Sequence, residues 1–181
     1  MAHPTTAAER VVLLDEAGHP AGTMLKSEVH TTETPLHLAF SCYLIDDDDR
    51  ILLTRRALSK ATWPGVWTNS FCGHPGPDES IEDAIARRAD QELGTAVTAL
   101  RLVDRDFRYR AVDAGGVVEN EACPVYVARI AAPLRPSPAE VADCHWTSLA
   151  DLRAAVAATP FAFSPWMVEQ LSGEIAGKLR V

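Results

Sequence analysis

Short apolar runs separated by turn-forming residues dominate the N-terminal part of the chain. Residues 11–14 and 23–26 flank a turn at 16–20, and the two runs are predicted to pair as a β-hairpin. Further strands are expected over residues 36–45 and 51–54, because both runs are rich in apolar residues. The pattern therefore begins with strands.

Four consecutive aspartates, at positions 46–49, separate two of these predicted strands. Such a run is a candidate for a calcium-binding loop, but the glycine and the distal glutamate of that motif are missing at the required spacing. Mutual repulsion of the four carboxylates favours a solvated hairpin turn instead.

Helical periodicity appears once in the middle of the chain and twice near its end. Asp78 and Ser80 are both candidate N-caps for the first helix, and Gly94 is its stop signal. The late helices are expected over residues 149–158 and 164–178, separated by Pro160 and Pro165. In the first helix, apolar residues recur at a spacing of four: Ile81, Ile85, Ala89 and Leu93.

Two long strand-like runs lie between the helices, over residues 100–112 and 117–130. Residues 113–116, with the sequence DAGG, join them and predict a hairpin turn. A shorter strand is expected over 143–147. The order of strands, helix, strands and helices predicts an α+β fold or a three-layer α/β/α sandwich, with a mixed sheet flanked by helices.

One domain is expected for the 181 residues, since a domain typically contains roughly 150. The proline-rich stretch at 133–138 is interpreted as a stiff loop rather than a domain boundary. Apolar residues make up 47% of the chain, which is enough for a sizeable core.

Residues 57–78 are irregular and rich in glycine and proline. A loop of that length in a compact domain is usually functional.

The formal net charge of −8 argues against binding to nucleic acid, which requires a basic surface. No stretch reaches the roughly 18 consecutive apolar residues of a membrane span. The N-terminus lacks the charged start and apolar core of a secretory signal, so a cytoplasmic protein is expected. The four cysteines form no CxxC pair and are expected to be free thiols.

Cys72 and His74 stand out within the irregular loop. In an extended segment, residues two apart point to the same side. The pair is compatible with a nucleophile and its base, with a thiol beside a metal ligand, or with a buried cysteine in a turn. This segment alone leaves the three alternatives open.

Glu119 and Glu121 lie on one face of a predicted strand with apolar flanks. Burying two carboxylates together costs several kcal/mol unless a cation compensates. A solvated edge strand is the alternative, but the apolar flanks favour a metal or proton-transfer role. His30 and His37 carry little weight singly. Together with His74 they complete three imidazoles and two carboxylates, a ligand set suited to a transition metal.

Basic residues cluster in the same loops, and aromatic residues lie beside them. Against the acidic background, grouped cations indicate a phosphate or diphosphate pocket, with ordinary helix-surface or strand-end ion pairs as the alternative. For the aromatic residues a core role is the alternative to lining a pocket, where a ring face stabilises a cation. The residues concerned are Arg55, Arg56, Lys60, Arg87, Arg88, Arg108, Arg110, Trp63, Trp67, Tyr109 and Trp166.

These motifs together resemble the type I isopentenyl-diphosphate isomerases, a family with the Nudix fold. The resemblance spans most of the chain, from about residue 26 to residue 167. The matching stretches are TPLHLAF (34–40), TRRALSK (54–60), WPGVWTN (63–69), CGHP (72–75), DFRYR (106–110), ENE (119–121) and FSPWM (163–167).

The chain also carries a degenerate form of the Nudix box, G-x5-E-x7-R-E-U-x-E-E-x-G-U. Gly73, Glu79, Arg87, Glu92 and Gly94 fall in register with it. Two box carboxylates are replaced, by Arg88 and Gln91, and a Nudix hydrolase uses such carboxylates to hold magnesium against a diphosphate. Their loss weakens a hydrolase interpretation, and a similar degenerate box is found in the isomerase family.

The resemblance implies a role for each matching residue. Cys72 and Glu121 resemble the family's catalytic thiol and carboxylate, and Tyr109 and Trp166 resemble residues lining the isoprenoid end of the site. Diphosphate contacts are implied for Lys26, Arg56, Lys60 and Arg88. Ligands of one divalent metal (manganese, zinc or iron) are implied for His30, His37, His74, Glu119 and Glu121, and Glu92 resembles the ligand of a magnesium ion that accompanies the diphosphate.

The implied activity is the interconversion of isopentenyl and dimethylallyl diphosphate through a tertiary carbocation, in isoprenoid biosynthesis. The expected partner is this small diphosphate, with no nucleic acid or membrane, and the chain is expected to be a monomer or weak oligomer. Two other hypotheses are a Nudix diphosphate hydrolase and a noncatalytic metal-binding or nucleotide-sensing module. The hydrolase lacks its box carboxylates, and the module would not need a thiol and a carboxylate beside a basic pocket.

Overall fold

The computed structural model describes residues 8–179, which form two β-sheets and flanking helices. In chain order, the strands are β1 (Arg10–Leu14), β2 (Pro20–Leu25), β3 (His37–Leu38), β4 (Phe40–Ile45), β5 (Ile51–Arg56), β6 (Trp67–Thr68), β7 (Phe71–Gly73), β8 (Val97–Asp104), β9 (Arg108–Val112), β10 (Val118–Ala122), β11 (Val125–Ile130) and β12 (Val141–Thr147). The helices are α1 (Lys26–Val29), α2 (Ile81–Leu93), α3 (Leu149–Ala158), α4 (Pro165–Ser172) and α5 (Ile175–Lys178), with a 3-10 turn at Pro160–Ala162.

Both sheets are mixed, as the sequence predicted. The first has the order β2-β1-β3-β10-β9, and the second has the order β12-β5-β4-β11-β8, with β6 beside β5 and β7 beside β4. The pairs β3–β10 and β4–β11 are parallel, and the other pairs are antiparallel.

The second sheet is the central layer of a sandwich, because β4 is buried on both faces. Tyr43 and Ile45 belong to a core that includes residues of α3, α4 and α5, whereas Cys42 and Leu44 belong to a core shared with α2. Successive side chains of a strand point to opposite faces, so this continuous apolar strand fills both cores. The α+β class with flanking helices is therefore confirmed.

Three runs predicted as single strands are each divided between the two sheets. The run over 36–45 becomes β3 and β4, that over 100–112 becomes β8 and β9, and that over 117–130 becomes β10 and β11. At the last division Pro124 has no N–H to continue the hydrogen-bonding ladder. Periodicity predicted the extended backbone but not the change of pairing partner, which depends on tertiary contacts.

The points at which the three runs divide lie side by side, and backbone hydrogen bonds join them. The amide of Ala39 donates to the carbonyl of Ala122 over 2.9 Å, and that of Cys123 donates to the carbonyl of Phe107 over 2.8 Å. The two sheets therefore diverge at neighbouring points of the chain. Strands of both sheets begin or end at these points.

Helix α2 is confirmed with the caps that the sequence offers. Ser80, rather than Asp78, is the N-cap, and its Oγ accepts a 3.0 Å hydrogen bond from the amide of Asp83. Gly94 ends the helix in the left-handed region, with φ of 57°. A Cβ at Gly94 would also lie 2.6 Å from the Arg135 carbonyl oxygen. Both the left-handed backbone and this close contact therefore exclude a larger residue.

The hairpin turn and the late helices were predicted, with one of these helices divided in two, whereas the short helix α1 was not predicted. Residues 46–49 form the hairpin turn between β4 and β5, where the Asp46 carboxylate accepts hydrogen bonds from Arg50. Helix α3 has the predicted bounds. The predicted helix over 164–178 is interrupted at Gly173, whose backbone is extended, and so forms α4 and α5. Among the described residues no helix is long and apolar enough to cross a membrane.

Candidate active site

A cavity of about 210 Å³ receives side chains from both sheets and from α2 and α4. His37 is the one predicted site residue that does not line it, and it is fully buried in contact with His74. The predicted residues that line the cavity are Lys26, His30, Arg56, Lys60, Cys72, His74, Arg88, Glu92, Tyr109, Glu119, Glu121 and Trp166.

Three histidines converge from separate parts of the fold. His37 lies on β3 and is paired in register with Glu121 on β10, His74 directly follows β7, and His30 directly follows α1. Their ring centroids are 5.0–5.7 Å apart. Ligand atoms of these histidines and of Glu121 all lie within 4.8 Å of one another, a spacing that suits coordination of a single ion.

The tautomer of His37 is set by the backbone. Its Nδ1 lies 2.9 Å from the carbonyl oxygen of Pro35, which only accepts hydrogen bonds, so Nδ1 carries the hydrogen. In the neutral form of the ring, Nε2 presents a lone pair that a metal ion can accept, and this atom lies 3.2 Å from His74 Nε2. Fixing one ring nitrogen with a carbonyl is the usual arrangement around a metal-binding histidine.

Unsatisfied polar atoms at this cluster fit a bound cation. His74 Nδ1, His30 Nε2 and Glu119 Oε2 are buried and make no hydrogen bond of acceptable geometry, although the last two atoms lie within ion-pair distance of each other. His30 Nε2 and Glu119 Oε2 face each other at 3.0 Å, which brings Glu119 to the edge of the cluster. Burial lowers the pKa of His74 to about 4, so this ring is neutral at pH 7 and able to act as a ligand. Three imidazoles and two carboxylates suit a divalent transition metal.

Glu121 is buried but remains ionised. Burial raises the pKa of its carboxyl, but the contacts with His37 and His74 outweigh burial and hold the pKa well below its usual range. His74 Nε2 lies 3.0 Å from Glu121 Oε1, and the Tyr109 hydroxyl donates to Oε2 over 2.8 Å. Glu121 is thus placed between the histidine cluster and the aromatic end of the cavity.

Cys72 reaches the same cavity from the other sheet. Its Sγ is 3.5 Å from Ser41 Oγ and 3.3 Å from both side-chain polar atoms of Asn69. Burial raises the pKa of the thiol to about 12, and the negative charge of Glu121 adds to this effect. Cys72 is therefore a protonated thiol at neutral pH, in reach of a cavity that also holds a carboxylate.

Aromatic rings close this end of the cavity. The Trp166 ring, at the first turn of α4, lies 5.5 Å from the Tyr109 ring and 5.7 Å from the Trp63 ring, measured between centroids. The Arg56 guanidinium lies 5.5 Å from the Trp166 centroid. Trp63 has a positive φ of 42°, which is rare for a bulky residue and marks a strained loop at the rim of the site.

Paired charged side chains also line the cavity. Lys60 and Arg88 both pair with the carboxylate of Glu140, Arg88 over 3.3 Å. Arg88 also pairs with Glu92 over 2.5 Å. Glu92 is buried, and burial raises its pKa. The cavity therefore combines aromatic rings with paired charges, and the Arg56 guanidinium lies beside the Trp166 ring.

The sequence analysis missed several side chains that contact these groups, among them Ser41 beside Cys72. Thr62 Oγ1 donates to Glu119 Oε1 over 2.6 Å, Asn69 contacts Cys72, and Glu140 pairs with the cations. Thr62 and Asn69 lie in the irregular loop that was predicted to be functional, so their segment was identified but not their roles. Glu140 follows the proline-rich stretch and gave no sequence signal.

The degenerate Nudix box also has a structural consequence. Arg88 and Gln91 stand where a hydrolase carries carboxylates, and Arg88 Nη1 donates to Gln91 Oε1 over 3.2 Å. The box helix α2 therefore presents a guanidinium to the cavity in place of a carboxylate that would hold magnesium.

Comparison with known proteins identifies relatives over nearly the whole chain. Residues 35–167 match the NUDIX domain family. An isopentenyl-diphosphate Delta-isomerase of Leifsonia xyli subsp. xyli is 64% identical over 169 residues, covering 92% of this chain and 91% of that protein. One from Kocuria rhizophila is 63% identical over 163 residues, covering 90% and 91%.

Solved structures show the same fold at low sequence identity. A crystal structure of a Deinococcus radiodurans protein superposes with a TM-score of 0.70, at 20% identity, over 91% of this chain and 98% of that one.

Proposed function

The chain belongs to the NUDIX domain family and, within it, to the isopentenyl-diphosphate Delta-isomerases, and we propose that its cavity interconverts isopentenyl diphosphate and dimethylallyl diphosphate in isoprenoid biosynthesis. One observation carries the proposal. A thiol, a carboxylate and an aromatic ring line the same cavity as four cationic side chains. This arrangement matches a short hydrocarbon chain attached to a diphosphate.

The reaction moves a double bond by one position. A proton is added to the terminal alkene carbon, a tertiary carbocation forms, and a proton is lost from the carbon next to the oxygen-bearing carbon. An alkene is a poor base, so the proton donor has to be held close to it and away from water. Cys72 and Glu121 are the proposed acid/base pair. They belong to different sheets, which supports their acting from two sides of the substrate.

Two aromatic side chains assist this chemistry. Trp166 shields the carbocation, because the face of an indole ring attracts positive charge. Tyr109 holds the Glu121 carboxylate through its hydroxyl and so directs that carboxylate toward the reacting carbon. Both rings also exclude water, which would otherwise capture the cation.

The cationic side chains of the cavity are proposed to bind the diphosphate. Guanidinium and ammonium groups provide strong, charge-assisted hydrogen bonds to phosphate oxygens. Glu92 is proposed to bind the magnesium ion that accompanies the substrate, since Mg²⁺ is usually held by one or two carboxylates together with phosphate oxygens. The proposed diphosphate contacts are Lys26, Arg56, Lys60 and Arg88.

A resident divalent metal is proposed at His30, His37, His74, Glu119 and Glu121, with manganese, zinc or iron as candidates. When bound, it supplies positive charge that offsets the repulsion between the two buried carboxylates and tunes the basicity of Glu121. The unsatisfied nitrogen and oxygen atoms of the cluster support this assignment.

We further propose that the enzyme acts in the cytoplasm as a monomer or weak oligomer.

One incubation separates this proposal from its alternatives. The protein is mixed with isopentenyl diphosphate, Mg²⁺ and Mn²⁺, and the products are separated by chromatography. Formation of dimethylallyl diphosphate is the expected result. Release of phosphate without isomerisation would instead establish a Nudix hydrolase, and an unchanged substrate would favour a noncatalytic metal-binding module.

A further inference from the structure

Asn69 is a fully buried amide between β6 and β7 that contacts both Cys72 and Trp166. We propose that Asn69 is a positioning residue that fixes the thiol of Cys72 relative to the indole ring of Trp166. The inference rests on the proposed isomerase function, in which one group protonates the alkene and the other shields the resulting cation.

All hydrogen-bonding capacity of the Asn69 amide is used within the protein. Oδ1 accepts from Trp166 Nε1 over 2.9 Å and from Thr68 Oγ1 over 2.8 Å. Nδ2 donates to the carbonyl oxygens of Phe71 over 2.8 Å and Cys42 over 3.2 Å. An amide has two acceptor sites and two donor hydrogens, and these four bonds match them; Cys72 Sγ shares both amide atoms, each at 3.3 Å.

The same bonds allow only one orientation of the amide. A rotation of 180° would bring Nδ2 against the indole N–H of Trp166, donor against donor. It would also bring Oδ1 against the carbonyl oxygens of Phe71 and Cys42. Such mismatches in a buried site each cost a hydrogen bond that no water replaces. Asn69 is therefore a rigid element of the site.

The sulfur of Cys72 lies against this rigid amide. Sγ is 3.3 Å from Oδ1 and 3.3 Å from Nδ2, and Ser41 Oγ bounds it at 3.5 Å. Because the Asn69 amide cannot turn, these contacts hold the sulfur at a fixed position on the wall of the cavity.

The orientation of the Trp166 indole depends on the same side chain. Its N–H donates to Asn69 Oδ1, while its ring packs against Tyr109 and Trp63. Ring packing alone constrains an indole less than packing combined with a directional hydrogen bond. Asn69 thus connects the proton-transfer group to the ring that must face the same carbon. A misplacement of about 1 Å in such an arrangement can lower the rate about 10²-fold.

The test compares Asn69→Ala with Ser70→Ala in steady-state kinetics on isopentenyl diphosphate. Ser70 is equally buried, and its hydroxyl also bonds to backbone atoms, donating to Leu52 O and accepting from Leu44 N, each over 2.7 Å. Both variants are expected to lower the melting temperature. Only Asn69→Ala is expected to lower kcat, by about 10²-fold, with KM within about twofold of wild type.

Each outcome has a defined meaning. Equal kcat values for the two variants and the wild type would overturn the role of Asn69 and leave it structural. No turnover in the wild type would instead refute the proposed isomerase function itself. If Asn69→Ala does not fold, Trp166→Phe replaces it, because Phe retains a ring but removes the N–H donor to Asn69.

The replacement variant has its own control. Trp146→Phe makes the same change on β12, at a residue that packs in the other core. Trp166→Phe is expected to lower kcat at least about tenfold with KM unchanged, whereas Trp146→Phe is expected to match wild type. A wild-type kcat in Trp166→Phe would overturn the inference. Where Asn69→Ala folds, the double variant Asn69→Ala/Trp166→Phe is expected to lose less than the product of the single losses, and a full product would contradict a shared role.

Discussion

The hydroxyl of Tyr109 donates a 2.8 Å hydrogen bond to Oε2 of Glu121, on the neighbouring strand of the first sheet. Because β9 and β10 pair in register at these two residues, the ladder itself places the phenol beside the carboxylate. The other oxygen of Glu121 faces His74. One carboxylate is thereby shared between the proposed metal cluster and the aromatic end of the cavity.

Tyr109→Phe should lower kcat by about tenfold to a hundredfold, because a hydrogen bond to a charged group contributes about 1.5–3 kcal/mol. Phe retains the ring that packs on Trp166, so KM and folding should change little. Steady-state kinetics and a thermal melt measure both quantities. A kcat within twofold of wild type would show that the hydroxyl does not assist Glu121.

Cys72→Ala should abolish turnover, since a general acid or base contributes about 10²–10⁴-fold. The matched control is Cys144→Ala, a half-buried thiol on β12 away from the cavity, and it should retain wild-type activity. Single-turnover kinetics with equal amounts of folded protein makes the comparison. If Cys72→Ala keeps more than roughly a tenth of the wild-type rate, the thiol is not an acid/base group.

Removing the resident metal with a chelator should abolish activity and lower the melting temperature. Without a cation, Glu119 and Glu121 repel each other in a buried site. Adding Mn²⁺, Zn²⁺ or Fe²⁺ back should restore both properties, and elemental analysis should find one such ion per chain. His74→Ala should lose the metal, whereas His145→Ala, an exposed histidine of β12, should keep it. Full activity in protein shown to contain no metal would disprove the site.

Glu140→Gln should lower the KM for isopentenyl diphosphate, with little change in kcat. In the present arrangement Glu140 pairs with Lys60 and Arg88, so a diphosphate has to displace this carboxylate to reach them. Glu79→Gln is the control, because Glu79 pairs with Arg87 and does not line the cavity. A KM that rises in Glu140→Gln would show that the carboxylate contributes to binding, for example through magnesium.

The sequence predicted the residues of this site more completely than it predicted the strands that carry them. Cys72, His74, Glu119 and Glu121 were selected from local spacing and the cost of burying charge, and all of them meet in the structure. The division of the long strands between two sheets was not predictable, because the strand-like run continues through Pro124 without indicating which strand pairs with which.

The roles of Asn69 and Glu140 were not predicted from the sequence, for a different reason. A buried asparagine and an exposed one have the same sequence signature, and only the structure shows that the Asn69 amide bonds to Trp166 and contacts Cys72. Glu140 is one acidic residue among 25 Asp and Glu in the chain. Its pairing with Lys60 joins residues 80 positions apart, which no local pattern reports.

The acid/base role of Glu121 separates from its role as a metal ligand in the variant Glu121→Gln. The amide retains the shape and one coordinating oxygen but cannot transfer a proton. Glu121→Gln should therefore stop isomerisation while weakening metal binding less than His74→Ala does. Metal content and turnover are measured on the same samples. Normal turnover in Glu121→Gln would leave Glu121 as a metal ligand only.

The most direct test of proton addition and removal is the reaction run in heavy water. After conversion of isopentenyl diphosphate, NMR should find solvent deuterium in the methyl group formed from the terminal alkene carbon. In the reverse direction the label should enter the carbon next to the oxygen-bearing carbon. Both results are expected because the protons of Cys72 and Glu121 exchange with solvent. A product without solvent deuterium after many turnovers would contradict the account.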